Sequence, residues 1–330
     1  MGNIELNKIH LYILFFCFSI NINSSEVKAK TWFGDPNLQG TWTNASLTAL
    51  ERPRHLKSWE VSEEVALEQT LRAQKESEAY DNPLETGEEI QASRDPGGYN
   101  AAWMDPGLKF FKVKGQYRTS VIGYPKNGRL PWDAEKSRTY FQKLRPRGMK
   151  RTDHPELRGV GERCIVGFGS SGGPPMMNVL YNNHYQIVQS PGFVMIMAEM
   201  IHDTRIIRIG GEHLPQNMKP WLGDSVGKWE GNTLIVETTN FNPQHQFRAG
   251  LRHRFAVTEK AKITEKFTRI SASEIIYQFF VDDKDVYSDL WAGEMVLTAD
   301  NDKIYEYACH EGNYSMENIL AGARAQEARR

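Results

Sequence analysis

Side chains that could do chemistry concentrate in residues 181–241, mostly at the ends of predicted strands. The apolar run at 193–200 predicts a buried strand at the centre of this stretch. Binding and catalytic groups often lie where strands end in loops, because the sheet holds them rigidly while the loop leaves them accessible. The polar residues at such positions are His184, Tyr185, Glu199, His202, Asp203 and Arg205.

His202 is the first candidate for acid–base chemistry, because a histidine beside a carboxylate, here Asp203, can serve as a tuned acid or base. A structural turn in which Asp203 accepts hydrogen bonds from backbone amides explains the same pair equally well. His245 and His310 each follow directly after a predicted strand. If the strands form a barrel, several of these histidines would meet at one rim.

The same residue inventory suits elimination from a uronic acid. That reaction removes the proton α to the carboxylate and expels a group from the β carbon, so it needs an acid, a base and donors that neutralise the carboxylate. The candidate acids and bases are His202, His245, His310, His184 and Tyr185. The candidate carboxylate-binding residues are Arg205, Arg163, Arg248, Asn182 and Asn183.

Signatures of metal, nucleophile and phosphate sites are weak or missing. The sequence has no HxH, HExxH or CxxC spacing, so the metal and cofactor stay unknown. A metal site from His184, His202, His245 and Glu199 would need the fold to bring these four residues together. No GxSxG motif occurs, and the glycine-rich GFGSSGGPP at 167–175 lacks the Lys-Ser/Thr ending of a P-loop. We expect 167–175 to be a tight turn or a flexible entry into the sheet.

The N-terminus predicts export. A charged start, the short apolar run LYILFFCFSI and a polar exit indicate a signal peptide over residues 1–25. The run is too short to span a bilayer comfortably, so we expect no stable membrane insertion after cleavage and a periplasmic or secreted location. An uncleaved anchor is the alternative. The net charge of −1 argues against a nucleic-acid partner.

Cysteine usage also favours an oxidising compartment. Only Cys164 and Cys309 remain after the predicted cleavage, and two such thiols commonly form a disulfide. This bridge would join the start of the β region to its end. Two unpaired buried thiols are the alternative.

The elements that must position these residues are mostly strands. The predicted fold is mainly β, an antiparallel β-barrel or β-sandwich meander with a short N-terminal helical segment and a C-terminal helical tail. We expect a single β-rich domain over 31–330. It would comprise a helix at 61–80, long loops at 81–175, a β meander at 176–310 and a helical tail from 315. Residues 193–200, apolar on both faces, predict a central strand that is covered on both sides. Further strands are predicted at 116–122 and 304–308, among others.

Three blocks of the chain resemble a large group of exported bacterial proteins, mostly uncharacterised. They are YNNHYQIVQSPGFVMIMAEMIHDTRII, WLGDSVGKWEGNTLIVETTNFN and IYEYACHEGNYSMENILAGARA, and the resemblance extends over roughly 34–330. One branch of the group acts in breakdown of the algal polysaccharide ulvan. Similarity to that branch implies an oligosaccharide dehydratase, which removes water from a non-reducing-end uronic acid and leaves a 4,5-unsaturated uronate. The resemblance carries over no catalytic residues.

Three functions remain in view. A carbon–oxygen lyase with an acidic oligosaccharide as its partner predicts a polar pocket lined by two or more of the candidate histidines and an arginine. A lipocalin-like binder of a small molecule predicts a closed apolar cavity. A glycan hydrolase predicts a pair of carboxylates flanking a groove.

Overall fold

A computed structural model describes residues 30–81, 104–144, 148–250 and 252–329, with the side chains of 77–81 and 144 excepted. The predicted signal peptide and part of the predicted long loops therefore lie outside the described residues. The helices are α1 (Glu63–Asp81), α2 (Ala134–Leu144), α3 (Tyr314–Glu327) and short 3-10 turns at Pro155–Leu157 and Met200–His202. The strands before the glycine-rich loop are β1 (Gly40–Thr43), β2 (Glu60–Val61), β3 (Lys112–Val113), β4 (Gln116–Arg118) and β5 (Ile122–Tyr124). The strands after it are β6 (His184–Ser190), β7 (Phe193–Ala198), β8 (Thr204–Ile209), β9 (Asp224–Glu230), β10 (Thr233–Thr239), β11 (Phe247–Gly250), β12 (His253–Ala256), β13 (Lys262–Arg269), β14 (Glu274–Asp282) and β15 (Trp291–Ala299).

Nine strands close into a barrel in the order β1-β6-β7-β8-β9-β10-β13-β14-β15. The short strand β1 completes the circle, because Trp42 lies opposite Tyr185 on β6 and opposite Ala299 on β15. Closure pairs both edges of the sheet, which removes the exposed hydrogen-bonding groups that an open edge would present. The predicted mainly β fold is confirmed, and of the two predicted architectures it is the barrel.

The barrel is not a simple antiparallel meander. Strands β8 and β9 run parallel, with Ile207 opposite Ser225, because residues 210–223 carry the chain back to the same end before β9 begins. Strand β10 then pairs with β13, and the hairpin β11–β12 stands outside the barrel. The prediction missed both features, since apolar spacing fixes which residues are strands but not the direction in which they pair.

Alternating side chains fill the barrel. On β10, Leu234, Val236 and Thr238 are buried, whereas the residues between them are partly exposed. Each large apolar side chain that is removed from water stabilises the fold by about 1.5–3 kcal/mol. The largest buried side chains include Trp42, Trp291, Tyr185, Tyr277, Phe267 and Phe279. The interior is thus a packed core, which does not favour the closed apolar cavity of a lipocalin-like binder.

One predicted strand is wrong and another is only partly right. Residues 304–308 form no strand, because side chains instead of a neighbouring strand bond their backbone amides. Residues 116–122 are divided between β4, which pairs with β2 and β3, and β5, which pairs with β15.

Two further predictions need correction. Strand β7 is covered on one face only, and Phe193 is 48 % exposed, because the outer surface of a single-walled barrel faces solvent. The predicted long loops contain α2, whose start is capped by the Asp133 carboxylate at 3.2 and 3.0 Å from the amides of Glu135 and Lys136. Its apolar contacts with the core come from Tyr140 and Phe141, which the surrounding charge hides in the sequence.

Candidate functional site

His184, the first residue of β6, lies between two carboxylates. Its Nδ1 is 3.0 Å from Glu199 Oε2 and its Nε2 is 3.1 Å from Asp300 Oδ2. The hydrogen bond to Glu199 and the lesser contribution of Asp300 outweigh partial burial and raise the pKa of His184 to about 9. The ring is therefore an imidazolium at neutral pH, with both N–H groups directed at anions.

Glu199 is positioned by the end of β7. Its backbone amide bonds the His184 carbonyl at 2.9 Å, and the turn that follows contains Ile201 and His202 at φ 57° and 55°. A left-handed conformation is costly for a β-branched residue such as Ile201, so the surrounding contacts must hold this turn in place. Burial acts to raise the pKa of Glu199, but hydrogen bonds from His184, the Tyr305 amide and Asn182 bring it below its ordinary value.

The opposite wall of the site is the extended segment 305–308, whose backbone is not paired with a β-strand. The Tyr305 amide donates to Glu199 Oε1 at 3.2 Å, and the Tyr307 amide donates to His202 Nε2 at 3.2 Å. Because Nε2 accepts this bond, the ring of His202 supports the wall. The Tyr307 ring stacks on Tyr181 with centroids 6.1 Å apart, and the two hydroxyls are 3.4 Å apart.

A disulfide fastens this wall to the loop before the glycine-rich segment. Cys164 and Cys309 are joined, with their Cα atoms 5.7 Å apart, as the sequence predicts. Asn313 adds a bond from Nδ2 to the Glu162 carbonyl at 2.8 Å. The disulfide is compatible with an exported protein. In the described parts of the chain, no helix has the length and apolarity needed to cross a membrane.

These walls line an open cavity of about 840 Å³, which is called the cleft below. Its volume is in the range of small-ligand sites. Both cysteines and Asn182 line it. Its aromatic residues are Tyr181, Tyr305, Tyr307 and Phe168. Its acidic residues are Asp105, Glu162, Glu199 and Glu306. Among the described lining residues His184 is the one cationic side chain, so the cleft combines a fixed positive charge with an acidic rim and aromatic walls.

Of the candidate acid–base and carboxylate-binding residues, only His184 and Asn182 line the cleft. Tyr185 is buried in the barrel, where its hydroxyl donates to the Ser171 carbonyl at 2.8 Å. Asn183 is buried and bonds the Asp105 and Val179 carbonyls. His310 is exposed beside the disulfide, and Arg163 contacts Gln244 at 3.5 Å. The structure therefore separates residues that the strand-end rule groups together.

His245, Arg205 and Arg248 lie in the interior. Burial and the charge of Arg248 lower the pKa of His245 to about 3, and its Nδ1 lies 3.3 Å from the Trp221 carbonyl oxygen. Arg205 forms a buried bidentate pair with Glu265 at 2.7 and 2.9 Å. These groups contribute to the core, and the proposed metal set of His184, His202, His245 and Glu199 is not assembled. No group of three or more metal-ligating side chains in the described residues could hold a metal ion.

The sequence analysis misses Asp300, which bonds His184, and among the cleft residues it misses Tyr181 and the pair Tyr305 and Tyr307. Asp300 directly follows β15, so the strand-end rule that selected the histidines could have found it. The two tyrosines alternate along the segment that was predicted as a strand, and only the tertiary contacts with Glu199 and His202 orient that segment.

The chain matches none of the family models, curated proteins or solved structures with which it was compared. The resemblance to exported ulvan-degrading proteins therefore stays a prediction, and the site must be interpreted from its own geometry.

Proposed function

We propose that the chain is an exported carbon–oxygen lyase, periplasmic or secreted, that eliminates water from the non-reducing-end uronate of ulvan-type oligosaccharides in the cleft. The observation that carries the proposal is His184, a histidine kept cationic in an aromatic cavity of saccharide size. As the C5 proton of a uronate leaves, negative charge builds on the carboxylate. A fixed imidazolium stabilises that charge in the transition state.

The substrate carboxylate would take the place of Asp300 at His184 Nε2. Asp300 is the more exposed partner, with 28 % of its side chain accessible against 4 % for Glu199. When the substrate carboxylate replaces that of Asp300, the positive charge of the imidazolium stays neutralised. Glu199 continues to accept the hydrogen bond from Nδ1. Asn182, which hydrogen-bonds Glu199, adds a further polar side chain to the lining of the cleft.

Tyr307 and Tyr181 would act as the base and the acid of the elimination. Their hydroxyls are 3.4 Å apart, so one tyrosine, as its phenolate, can accept the C5 proton while the phenol of the other donates its proton to the departing C4 oxygen. A proton passed between the two hydroxyls then restores the starting state. The C5–H and C4–O bonds break, the C4–C5 double bond forms, and water leaves, so no oxidant or further reactant is required. Stacked tyrosine rings also present the apolar faces on which sugar rings pack.

The test follows the conjugated double bond by ultraviolet absorbance and the product by mass spectrometry. Purified mature protein with saturated uronate-terminated oligosaccharides should gain absorbance and lose one water per chain. His184→Gln should lower the rate by about 100-fold or more. His55→Gln, an exposed histidine that contacts Gln69, should retain the wild-type rate. Absence of both signals with every uronate substrate overturns the proposal.

The acidic rim favours a second candidate, hydrolysis of a neutral glycan. Glu199 and Asp300 flank His184, and Glu162 and Glu306 add further carboxylates to the lining. Hydrolases use paired carboxylates as acid and base or nucleophile. The same assay separates the two functions, because hydrolysis adds water across a broken glycosidic bond and creates no conjugated double bond.

A further inference from the structure

Arg248 lies beneath the glycine-rich loop 167–175 and is almost completely buried, with 1 % of its surface exposed. Its Nη1 donates to Ser170 Oγ at 2.9 Å, the Gly173 carbonyl at 3.0 Å and the Pro174 carbonyl at 2.7 Å. Neither Nε nor Nη2 has an acceptor among the described residues. Half of a buried guanidinium is thus fastened to the loop, and the other half presents unused donors.

The two unused nitrogens lie on one edge of the planar guanidinium, called its side-on face below. The Nε–H and one N–H of Nη2 point to the same side of the planar group, in the fork that receives anions side-on. A buried donor without a partner costs about 1–3 kcal/mol, and more when it belongs to a charged group. Two such donors on one face therefore indicate that an acceptor belongs there.

His253 lies in the same region, on the hairpin strand opposite β11. It is 5 % exposed, and neither ring nitrogen has a partner in the part of the chain described. A Cβ on Gly169 would lie 2.6 Å from His253 Nε2, so the loop packs directly on this ring. Burial and the charge of Arg248 lower its pKa to about 4, which leaves a neutral ring with one N–H to donate.

In the part of the chain that the structure describes, no carboxylate forms a direct ion pair with Arg248. The neighbouring guanidinium of Arg205 is matched by Glu265, and the Asp203 carboxylate accepts the Gly167 amide at 2.6 Å. Burial raises the pKa of Asp203 to about 7, so its negative charge is incomplete at neutral pH. An isolated buried cation is strongly unfavourable, and one bound monoanion would offset it.

We propose that the side-on face of Arg248 binds a small inorganic monoanion, of which chloride is the physiological example, enclosed beneath the loop and near His253. The loop is fastened from several sides: Ser170 Oγ donates to the Pro175 carbonyl at 2.7 Å, and Tyr185 donates to Ser171. The close packing of Gly169 on His253 leaves no room for a saccharide there. The site is therefore separate from the cleft and independent of the proposed reaction.

Thermal unfolding of the full mature protein provides the first test. Sodium chloride is compared with sodium gluconate at equal sodium concentration, and bromide and nitrate serve as additional monoanion probes. Binding predicts a saturable rise of Tm with chloride, bromide and nitrate that gluconate does not produce. Arg248→Gln should abolish the difference, whereas Arg254→Gln, an exposed arginine on the same hairpin, should retain it. Equal Tm in chloride and gluconate overturns the proposal.

Crystals of the wild-type protein soaked in sodium bromide provide a second test that does not depend on the folding of any variant. An anomalous peak within hydrogen-bond distance of both Nε and Nη2 supports the site. A water molecule or a protein carbonyl at this face, without bromide, overturns it.

Discussion

The cleft and the buried region around Arg248 contain similar residues in opposite electrostatic states. In the cleft, Glu199 and Asp300 raise the pKa of His184 to about 9, so this histidine is a cation. Beneath the glycine-rich loop, burial and Arg248 lower the pKa of His253 to about 4, so that histidine is neutral. The loop itself separates the two environments, because Phe168 lines the cleft while Ser170 bonds Arg248. The pKa of a histidine is thus decided by its burial together with the charges of its neighbours.

The two regions also differ in what their charges do for the fold. In the cleft, His184 and Asp300 are partly exposed and can exchange partners, which suits binding and catalysis. Charges in the interior, such as Arg205 and Glu265, have no water to replace a lost partner. We therefore expect substitutions in the interior to change stability and substitutions in the cleft to change activity.

The largest expected effect is from Glu265→Gln. The change keeps the side-chain volume but leaves Arg205 buried without a counter-charge, and it weakens the 2.7 Å bond from Tyr277. We expect the free energy of unfolding to fall by about 3–5 kcal/mol in urea titrations. Glu199→Gln, the matched change in the cleft, should cost far less, because His184 keeps Asp300 as a partner and, unlike Arg205, can release its proton.

A double variant sharpens this test. If Arg205→Met is added to Glu265→Gln, most of the lost stability should return, because the uncompensated charge is gone. A destabilisation by Glu199→Gln as large as that by Glu265→Gln would contradict the division between the two regions.

The disulfide should have the next largest effect, and it connects stability to the cleft. Cys164→Ser with Cys309→Ser frees segment 305–308 from the opposite wall, across a sequence separation of 145 residues. We expect a loss of about 2–4 kcal/mol in unfolding free energy, together with reduced lyase activity. Reducing agent should reproduce both effects in the wild type and have none on the double variant. Full activity in the reduced wild type would show that the cleft does not need this wall.

The fold could be predicted from the sequence because period-2 alternation and turn residues mark strands directly. The return strand β10, for example, follows the Gly231-Asn232 turn signal, and its residues alternate between buried and partly exposed. The parallel pairing of β8 and β9 could not be predicted, since it depends on the path of residues 210–223. Helix α2 was missed because its few apolar residues lie among charges, although Asp133 gives a capping signal.

The candidate site was predictable only in part, because strand ends identify positions and not orientation. His184 and Asn182 do line the cleft, but the next residues, Asn183 and Tyr185, point into the structure and are buried. Alternation along a strand sends neighbours to opposite faces, so a cluster in sequence divides in space. The sequence does not distinguish Arg205 and Arg248 from exposed, anion-binding arginines. Only the tertiary structure shows that they are buried.

The smallest expected effect is on pH dependence, and it compares the two histidines directly. The folded-state pKa of His184 lies above its ordinary value of about 6.5, so its stabilising contribution is complete below that pH and is lost as pH rises through about 9. The folded-state pKa of His253 lies below the ordinary value, so its contribution is lost in the opposite direction, as pH falls from about 6.5 through about 4.

Imidazole NMR titrations should show these two separated midpoints, assigned by the loss of one signal in His184→Gln. Glu199→Gln should move the His184 midpoint down and leave that of His253 in place, because Glu199 is the main cause of the first shift and is not a cause of the second. Titration of both rings at a common midpoint would mean that the loop does not separate two electrostatic environments.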